Sequence, residues 1–245
     1  MGNHILLVFE GQKTEPEVFE SLRRFYLNDL GDRTFVIAIY GCEIYSLYHK
    51  MKNDEYLDLF LLLKSDARNK DLLKDINKDQ VSEIYLLFDY DGHAPTATDD
   101  KLLEMLGVFN EETERGKLYI SYPMVESLKH LPDNLCFSTV VVPCKQNIQY
   151  KALVGTQVPE RLKSFKLLEQ SHWKAMLEAH CKKLNHLITG DFSISETYVC
   201  QHEILSTQIQ KHIKPNEHVA VLSAFPIFVK DYYGAKKLIE LIEAQ

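Results

Sequence analysis

Long apolar runs that end in acidic residues are the strongest pattern along the chain. Ile5 to Phe9 is apolar without alternation, which predicts a strand buried on both faces, and Glu10 follows directly. Glu83 to Asp91 is a second such run and ends in two aspartates, while Lys117 to Pro123 leads into a turn that carries Glu126. We therefore expect three buried strands with carboxylates at their ends.

Between the strands, apolar residues recur at the spacing of a helix. Glu15 to Leu30 shows this pattern with charged residues between the apolar ones, and Thr14 stands where the helix N-cap would be. Thr34 to Tyr40 predicts a further buried strand, and Asp99 to Phe109 a further helix. This alternation predicts an α/β fold with a mainly parallel sheet, helices on both faces and a helical insertion.

The pattern divides the chain into three parts. Residues 1–144 carry the alternating strands and helices and form the expected core. Residues 145–215 are basic, with a long helix predicted from Arg161 to Leu187, and are expected to form a helical insertion or cap. Residues 216–245 return to the core with a strand, predicted from His218 to Phe225, and a closing helix.

The acids fall at the carboxyl ends of the strands, which is where ligands bind in open α/β sheets. Asp89 and Asp91 are two apart, so on an extended backbone both point to the same side. Carboxylates held close raise each other's proton affinity, so a fully charged set needs a cation, and oxygen ligands suit Mg²⁺ or Mn²⁺. A turn-capping aspartate, or a Glu126 that stabilises a helix N-terminus, is the structural alternative. The expected metal ligands are Glu10, Asp89, Asp91 and Glu126.

Three segments together resemble a Toprim domain. They are Val-Phe-Glu-Gly-Gln-Lys-Thr-Glu at 8–15, Phe-Asp-Tyr-Asp at 88–91 and Tyr-Pro-Met-Val-Glu-Ser at 122–127. The chain is similar to the stand-alone bacterial Toprim proteins of the OLD-type and RloB-like groups, which include nuclease subunits of anti-phage systems. The resemblance covers roughly residues 4–130, about half of the chain.

The resemblance implies a metal-dependent nuclease that cleaves DNA or RNA, tRNA included. Glu10 would then be a metal ligand or a general base, Lys13 would contact the scissile phosphate, and Glu15 would support the metal. A solvated pair at the start of a helix is the alternative for Lys13 and Glu15. His93 could donate a proton to the leaving group. The resemblance further implies an ATPase partner protein in an anti-phage system, and homodimerisation stays open.

Charge along the chain is unevenly distributed. The net charge is −7, but Lys145 to His186 holds eight Lys or Arg against three Asp or Glu, which leaves −12 for the remainder. This basic stretch is either a solvated helix face or a footprint for the nucleic-acid backbone, with Lys163, Lys166 and Lys174 as its contacts. Trp173, the single tryptophan, is either a core residue or a platform on which a base stacks.

The sequence lacks the motifs of several other protein classes. There is no Walker lysine loop, no Gly-x-Ser-x-Gly and no Gly-x-Gly-x-x-Gly after the first strand. The longest apolar stretch, Val219 to Val229, contains Pro226 and is too short to span a membrane. Five scattered cysteines suit a reducing cytoplasm. Two rivals to a nuclease remain: a catalytically silent Toprim scaffold that binds a partner, and a receiver-like domain phosphorylated on Asp89.

Overall fold

The computed structural model describes residues 3–27, 31–54 and 56–243. Its centre is a five-stranded sheet in which four strands run parallel and the short edge strand β4 is antiparallel to β5. The order across the sheet is β2-β1-β3-β5-β4. An α/β fold with a mainly parallel sheet is therefore confirmed. The strands are β1 (His4–Phe9), β2 (Thr34–Ile39), β3 (Val81–Asp89), β4 (Asn110–Glu111) and β5 (Gly116–Ser121).

Two further strands, β6 (Val141–Pro143) and β7 (His218–Ala220), form a separate antiparallel pair. Across the described part of the chain, no helix is long and apolar enough to cross a membrane. The helices are α1 (Thr14–Tyr26), α2 (Ile44–Asn53), α3 (Leu59–Ser65), α4 (Lys70–Leu73), α5 (Asp99–Val108), α6 (Tyr150–Gln157), α7 (Gln170–Thr189), α8 (Gln201–Gln208), α9 (Lys214–Asn216), α10 (Ala224–Tyr233) and α11 (Ala235–Glu243).

The strand order brings the acidic strand ends to one edge of the sheet. β1 lies between β2 and β3, and β3 lies between β1 and β5. In the register, Phe9 pairs with Leu87, and Asp89 pairs with Ser121. Because the strands are parallel, the residues that follow β1, β3 and β5 leave the sheet side by side.

The first helix begins differently from the expectation. Lys13 is the N-cap and Thr14 is the first helical residue, so the prediction of Thr14 as the N-cap was wrong by one position. The helix ends at Tyr26, and the end predicted near Leu30 lies outside the described residues.

The prediction of one long helix from Arg161 to Leu187 was wrong for residues 161–169. Two short 3₁₀ turns, Glu160–Leu162 and Phe165–Leu167, precede α7, which begins at Gln170. The turns still bury Leu162 and Phe165, so the same apolar residues pack without a continuous helix.

The last predicted strand was also wrong over most of its length. β7 ends at Ala220, and Ala224 begins the buried helix α10. A continuous apolar run fits a buried helix as well as a buried strand, and Pro226 is tolerated because it lies in the first turn. β7 pairs with β6, and a bridge between Tyr122 and Leu222 joins this pair to the end of β5.

One buried apolar cluster contains residues from all three predicted parts of the chain, among them Ile5, Trp173 and Phe225. Trp173 is fully buried, and its Nε1–H donates to Ser21 Oγ on α1 at 2.9 Å, so it is a core residue. The division at residues 145 and 216 stays a prediction, because the structure packs these parts around a shared core.

A buried lysine fastens α7 to the segment before β6. The side chain of Lys183 is 1% exposed, and its ammonium donates to the backbone carbonyls of Phe137, Ser138 and Val140 at 2.8, 2.7 and 2.9 Å. Three acceptors match the three N–H donors of an ammonium group. Lys183 therefore adds to the backbone hydrogen bonds of the Phe137 and Val140 carbonyls and supplies a donor to the Ser138 carbonyl.

Candidate acidic site at the strand ends

Glu10 and Glu15 meet at the turn between β1 and α1. Glu10 follows β1, and its backbone carbonyl accepts the N–H of Gly41 at 2.9 Å. Glu15 lies in the first turn of α1, is buried, and accepts the Gly11 N–H on Oε1 at 3.0 Å. A Cβ on Gly11 would lie 2.7 Å from Glu15 Oε2, so a larger residue here would displace the Glu15 carboxylate. The turn thus holds two carboxylates close together.

The second acidic pair follows β3. Asp89 is the last residue of that strand and is 7% exposed. Asp91 has φ +42°, in the left-handed region, so the expectation that both aspartates lie on extended backbone was wrong for Asp91. At the next position, a Cβ on Gly92 would lie 2.2 Å from the Tyr90 ring and 2.9 Å from the Cys144 carbonyl oxygen. The chain therefore turns tightly directly after Asp91.

At the third acidic strand end, Glu126 lies in a 3₁₀ turn, Val125–Lys129, after β5 and is 2% exposed. Its Oε1 is 3.6 Å from Lys151 Nζ. Ser127 Oγ donates to the Leu222 carbonyl at 3.2 Å and ties the turn to the segment after β7. Glu126 is therefore a buried acid held on a packed turn.

The acids act on one another through their charges. Burial raises the pKa of Glu10 to about 8, and the negative charge of Asp91 adds to this effect. Burial followed by the charges of Glu10 and Asp91 raises the pKa of Asp89 well above its ordinary range. Burial also raises the pKa of Asp91, against the opposing charge of His93. A cation among these groups would remove the repulsion that disfavours their ionised forms.

The acids fit an open metal site better than a closed one. Within residues 3–27, 31–54 and 56–243, no three Asp, Glu, His or Cys side chains form a ready ligand group. In the same residues, Glu10 Oε2 and Glu126 Oε2 are buried and have no hydrogen-bond partner. Mg²⁺ usually takes one or two carboxylates, keeps several waters and completes its shell with substrate phosphates. The two unpaired oxygens suit that arrangement.

Lys13, the predicted phosphate contact, is exposed at the start of α1. It lines a groove of about 450 Å³ together with Glu17, Glu20 and Lys166. Lys166 Nζ is 3.4 Å from Glu17 Oε1. Lys13 and Lys166 therefore share a mixed-charge groove beside α1.

The other two predicted nucleic-acid contacts lie in different settings. Lys163 Nζ is 2.7 Å from Glu160 Oε2, and both side chains are substantially exposed. Lys174 is half-buried on α7. Ion pairs on Lys163 and Lys166 reduce the local positive potential that the sequence predicts, since each lysine has an acidic neighbour.

Sequence reasoning missed Tyr150 and Lys151, at the start of α6. Tyr150 is 5% exposed, and burial together with the charges of Glu126 and Asp89 raises its pKa. Its hydroxyl is 2.8 Å from His130 Nδ1. The preceding segment is polar and irregular, so it carries no apolar periodicity that would predict a helix or a buried tyrosine at this place.

An ion-paired cluster anchors the segment that leads to α6. Lys145 Nζ is 2.9 Å from Tyr90 Oη and 3.1 Å from Asp99 Oδ1, and the Tyr90 hydroxyl donates to Asp99 at 2.5 Å. The Tyr45 hydroxyl donates to the Tyr90 carbonyl at 3.0 Å. Tyr90 is the residue between Asp89 and Asp91, so this cluster fixes the acidic pair and the neighbouring segment together.

The fold and the site define a class: a mainly parallel α/β protein with buried carboxylates gathered at the carboxyl ends of its central strands. No family model, no curated protein and no solved structure matches the chain. The resemblance to Toprim nucleases therefore stays a prediction from the three sequence segments.

Proposed function

We propose that the protein is a metal-dependent phosphodiesterase of the Toprim class that cleaves DNA or RNA. The observation that carries the proposal is the crowding of buried acids at the strand ends, in which Glu10 has a pKa near 8 and an unpaired buried oxygen. Strongly shifted pKa values cluster at functional sites, and ligands bind at the carboxyl ends of the strands in open α/β sheets, so both observations support the proposal.

Each acid has a role in this proposal. Glu10, Asp89, Asp91 and Glu126 would hold one or two Mg²⁺ or Mn²⁺ ions, with Glu15 supporting Glu10 through the Gly11 turn. Bound there, the metal would activate water and neutralise charge at phosphorus. His93 is exposed beside Asp91 and would protonate the leaving oxygen in this proposal. Lys13 is exposed, so it is accessible to the phosphate backbone.

The biological setting in the proposal depends on the sequence resemblance. It comprises the effector subunit of an anti-phage system, tRNA as one of the targets, and an ATPase partner protein that controls cleavage. Co-expression with an ATPase from a neighbouring gene, followed by co-purification, tests the partner.

Cleavage by the purified protein tests the proposed activity. Plasmid DNA, single-stranded DNA and total tRNA would each be incubated with wild-type protein in Mn²⁺, in Mg²⁺ and in EDTA. We expect cleavage that requires the metal and falls at least about a hundredfold in Asp89→Asn, because that change removes a ligand charge. Glu240→Gln, on the exposed side of α11, is the control and is expected to cleave as the wild type does.

Three results would contradict this proposal. Absence of cleavage by the wild type, alone and with its partner, would favour the silent scaffold. A hydroxylamine-labile phosphate on Asp89, formed from a phosphodonor, would favour the receiver-like domain. Equal cleavage by wild type and Asp89→Asn would place the activity outside this site.

The salt dependence of nucleic-acid binding tests the basic footprint. Replacing Lys163, Lys166 and Lys174 by glutamate is expected to weaken binding and to lower the slope of log K against log [salt] by about 2–3, because each phosphate contact contributes about 0.7–0.9. The matched control replaces Lys214, Lys236 and Lys237, which are exposed elsewhere on the chain. If the slope of log K against log [salt] is the same in both triple variants, the predicted footprint is an ordinary solvated surface.

A further inference from the structure

A cleft opens directly beside the acidic site. Its volume is about 580 Å³, within the range of about 300–1,000 Å³ that is usual for small-ligand pockets. One wall is the Asp91–His93 turn with Pro123 and Met124, and the other is the segment from Pro143 to Ala152. The segment includes the start of α6, so the cleft lies between the strand ends and that helix.

Three residues make the cleft continuous with the acids. Asp91 belongs to both the acidic site and the cleft wall. Lys151 lines the cleft, and its Nζ is 3.6 Å from Glu126 Oε1. Tyr150 lines the cleft and lies within the electrostatic reach of Glu126 and Asp89. A ligand in the cleft therefore adjoins any phosphate held at the carboxylates.

The lining has the wrong chemistry for a phosphate backbone. A surface that binds the nucleic-acid phosphate backbone depends on several Lys or Arg side chains. Among the described Lys and Arg residues, Lys151 alone lines this cleft. Much of the wall is apolar: Met124, Pro143 and Ile148 contribute to it. The cleft suits an uncharged group that can lie on apolar surface.

The polar part of the lining consists mainly of amides. Gln146, Asn147 and Gln149 all line the cleft and are exposed. Asn147 Oδ1 accepts the Gln149 N–H at 2.9 Å, which fixes the direction of its Nδ2 donors. Gln149 has φ +50°, a left-handed conformation that is uncommon for a residue other than glycine. Amide groups of this kind donate to and accept from the edges of bases.

The cleft wall is held in place rather than loosely attached. Tyr150 packs against the ring of His130 and is hydrogen-bonded to it, and His130 Nε2 is 2.7 Å from Gln157 Oε1 on the same helix. At the other end, Lys145 is paired with Asp99. A wall fixed at both ends is preformed for its ligand, which lowers the cost of ordering on binding.

We infer that this cleft binds the base of an unpaired nucleotide next to the scissile phosphate, so that the substrates are single-stranded or looped nucleic acids. The inference rests on the proposed function for the position of the phosphate. A base inside a duplex is stacked and paired, and it must leave the helix to enter such a cleft. Gln146, Asn147 and Gln149 would then select among bases through hydrogen bonds to the base edge.

Binding without cleavage tests the inference. Fluorescence anisotropy in EDTA would compare a labelled single strand of about 12 nucleotides with the same strand in a duplex. We expect the wild type to bind the single strand at least about tenfold more tightly. Ala152→Trp, which fills the cleft, is expected to remove that preference. Ala175→Trp, an exposed alanine on α7, is the matched control, and Gln146→Leu is expected to change the preferred base while single-strand binding persists.

The outcomes separate this inference from the proposed activity. Equal binding of single strand and duplex by the wild type, no binding of either, or an unchanged preference in Ala152→Trp would overturn the inference even if the protein cleaves. Loss of single-strand preference in Ala152→Trp but not in Ala175→Trp would support it. This binding result would support the cleft even if the protein cleaved nothing with any metal. In that case only the proposed activity would be wrong.

Discussion

Replacing Glu10 by glutamine is expected to lower metal-dependent cleavage at least about a hundredfold and to raise the melting temperature of the metal-free protein at about pH 8. The two effects have one cause. Glu10 is partly buried beside Asp91, with its Oε2 atom shielded from solvent, and its pKa is raised from its ordinary 4.5 to about 8. Its ionised form is therefore useful for holding a metal and costly for the fold when no metal is bound.

The pH dependence follows from proton linkage. The unfolded chain releases the Glu10 proton near pH 4.5, whereas the folded protein keeps it until about pH 8. Between these values the folded state binds more protons, so the free energy of unfolding falls as the pH rises. Each pKa unit corresponds to about 1.4 kcal/mol, which puts the penalty above pH 8 on the order of a few kcal/mol. At about 2–4 °C per kcal/mol, the melting temperature of Glu10→Gln should exceed that of the wild type by about 5 °C or more.

Added metal should make the melting temperature of the wild type higher than that of Glu10→Gln. Mg²⁺ or Mn²⁺ binds the ionised carboxylates, so it should raise the melting temperature of the wild type more at pH 8 than at pH 6. Glu10→Gln should respond weakly at both pH values. Differential scanning fluorimetry of both proteins at pH 6 and pH 8, in EDTA and in Mn²⁺, gives the eight melting temperatures that this comparison needs. A wild-type melting temperature that is flat between pH 5 and pH 8 and unaffected by metal would contradict the account of this site.

Replacing Lys183 by methionine is expected to destabilise the fold by about 2–4 kcal/mol. Methionine keeps the apolar stem but leaves the Ser138 carbonyl without its ammonium donor. The carbonyls of Phe137 and Val140 keep their bonds from the Val140 and Val221 amides, which limits the loss. Urea unfolding followed by circular dichroism would measure the difference.

Lys182 provides the matched control. It is adjacent to Lys183 and partly exposed, and its Nζ is 2.6 Å from Glu178 Oε1 one helical turn away. Such surface pairs contribute about 0.3–0.5 kcal/mol, so Lys182→Met should unfold at nearly the wild-type urea concentration. Similar losses in the two variants would show that the three carbonyl contacts of Lys183 add little to stability.

The parallel core could be predicted because its signal is local. Ile5 to Phe9 forms β1, and the run predicted from Glu83 to Asp91 forms β3 two residues earlier, at Val81–Asp89. The neighbouring positions of Glu10 and Asp89 follow from a general property of parallel sheets, not from any detail of this chain. These acids were therefore identified before the structure.

The parts that were missed depend on packing between distant segments. Ala224 to Tyr233 could have been strand or helix from its apolar run, and the choice is made by its burial against the sheet, where Phe225 stacks on Phe9 at 6.0 Å. The cleft wall at 143–152 has neither helical nor strand periodicity, and Tyr150 contacts His130, which lies 20 residues earlier in the chain. The extended backbone that the sequence predicts for Asp91 was wrong, since its φ is left-handed.

The way in which residues 222–224 hold the acidic turn has a consequence for synthesis on the ribosome. Leu222 exchanges backbone hydrogen bonds with Tyr122, and its carbonyl also accepts from Ser127, next to Glu126. The Ala224 amide donates to Ser121 at the end of β5. A nascent chain that has emerged only as far as α8 already contains every acid of the site but lacks the strap that holds Glu126. The turn that carries Glu126 therefore gains these contacts only after the segment that follows β7 has been synthesised.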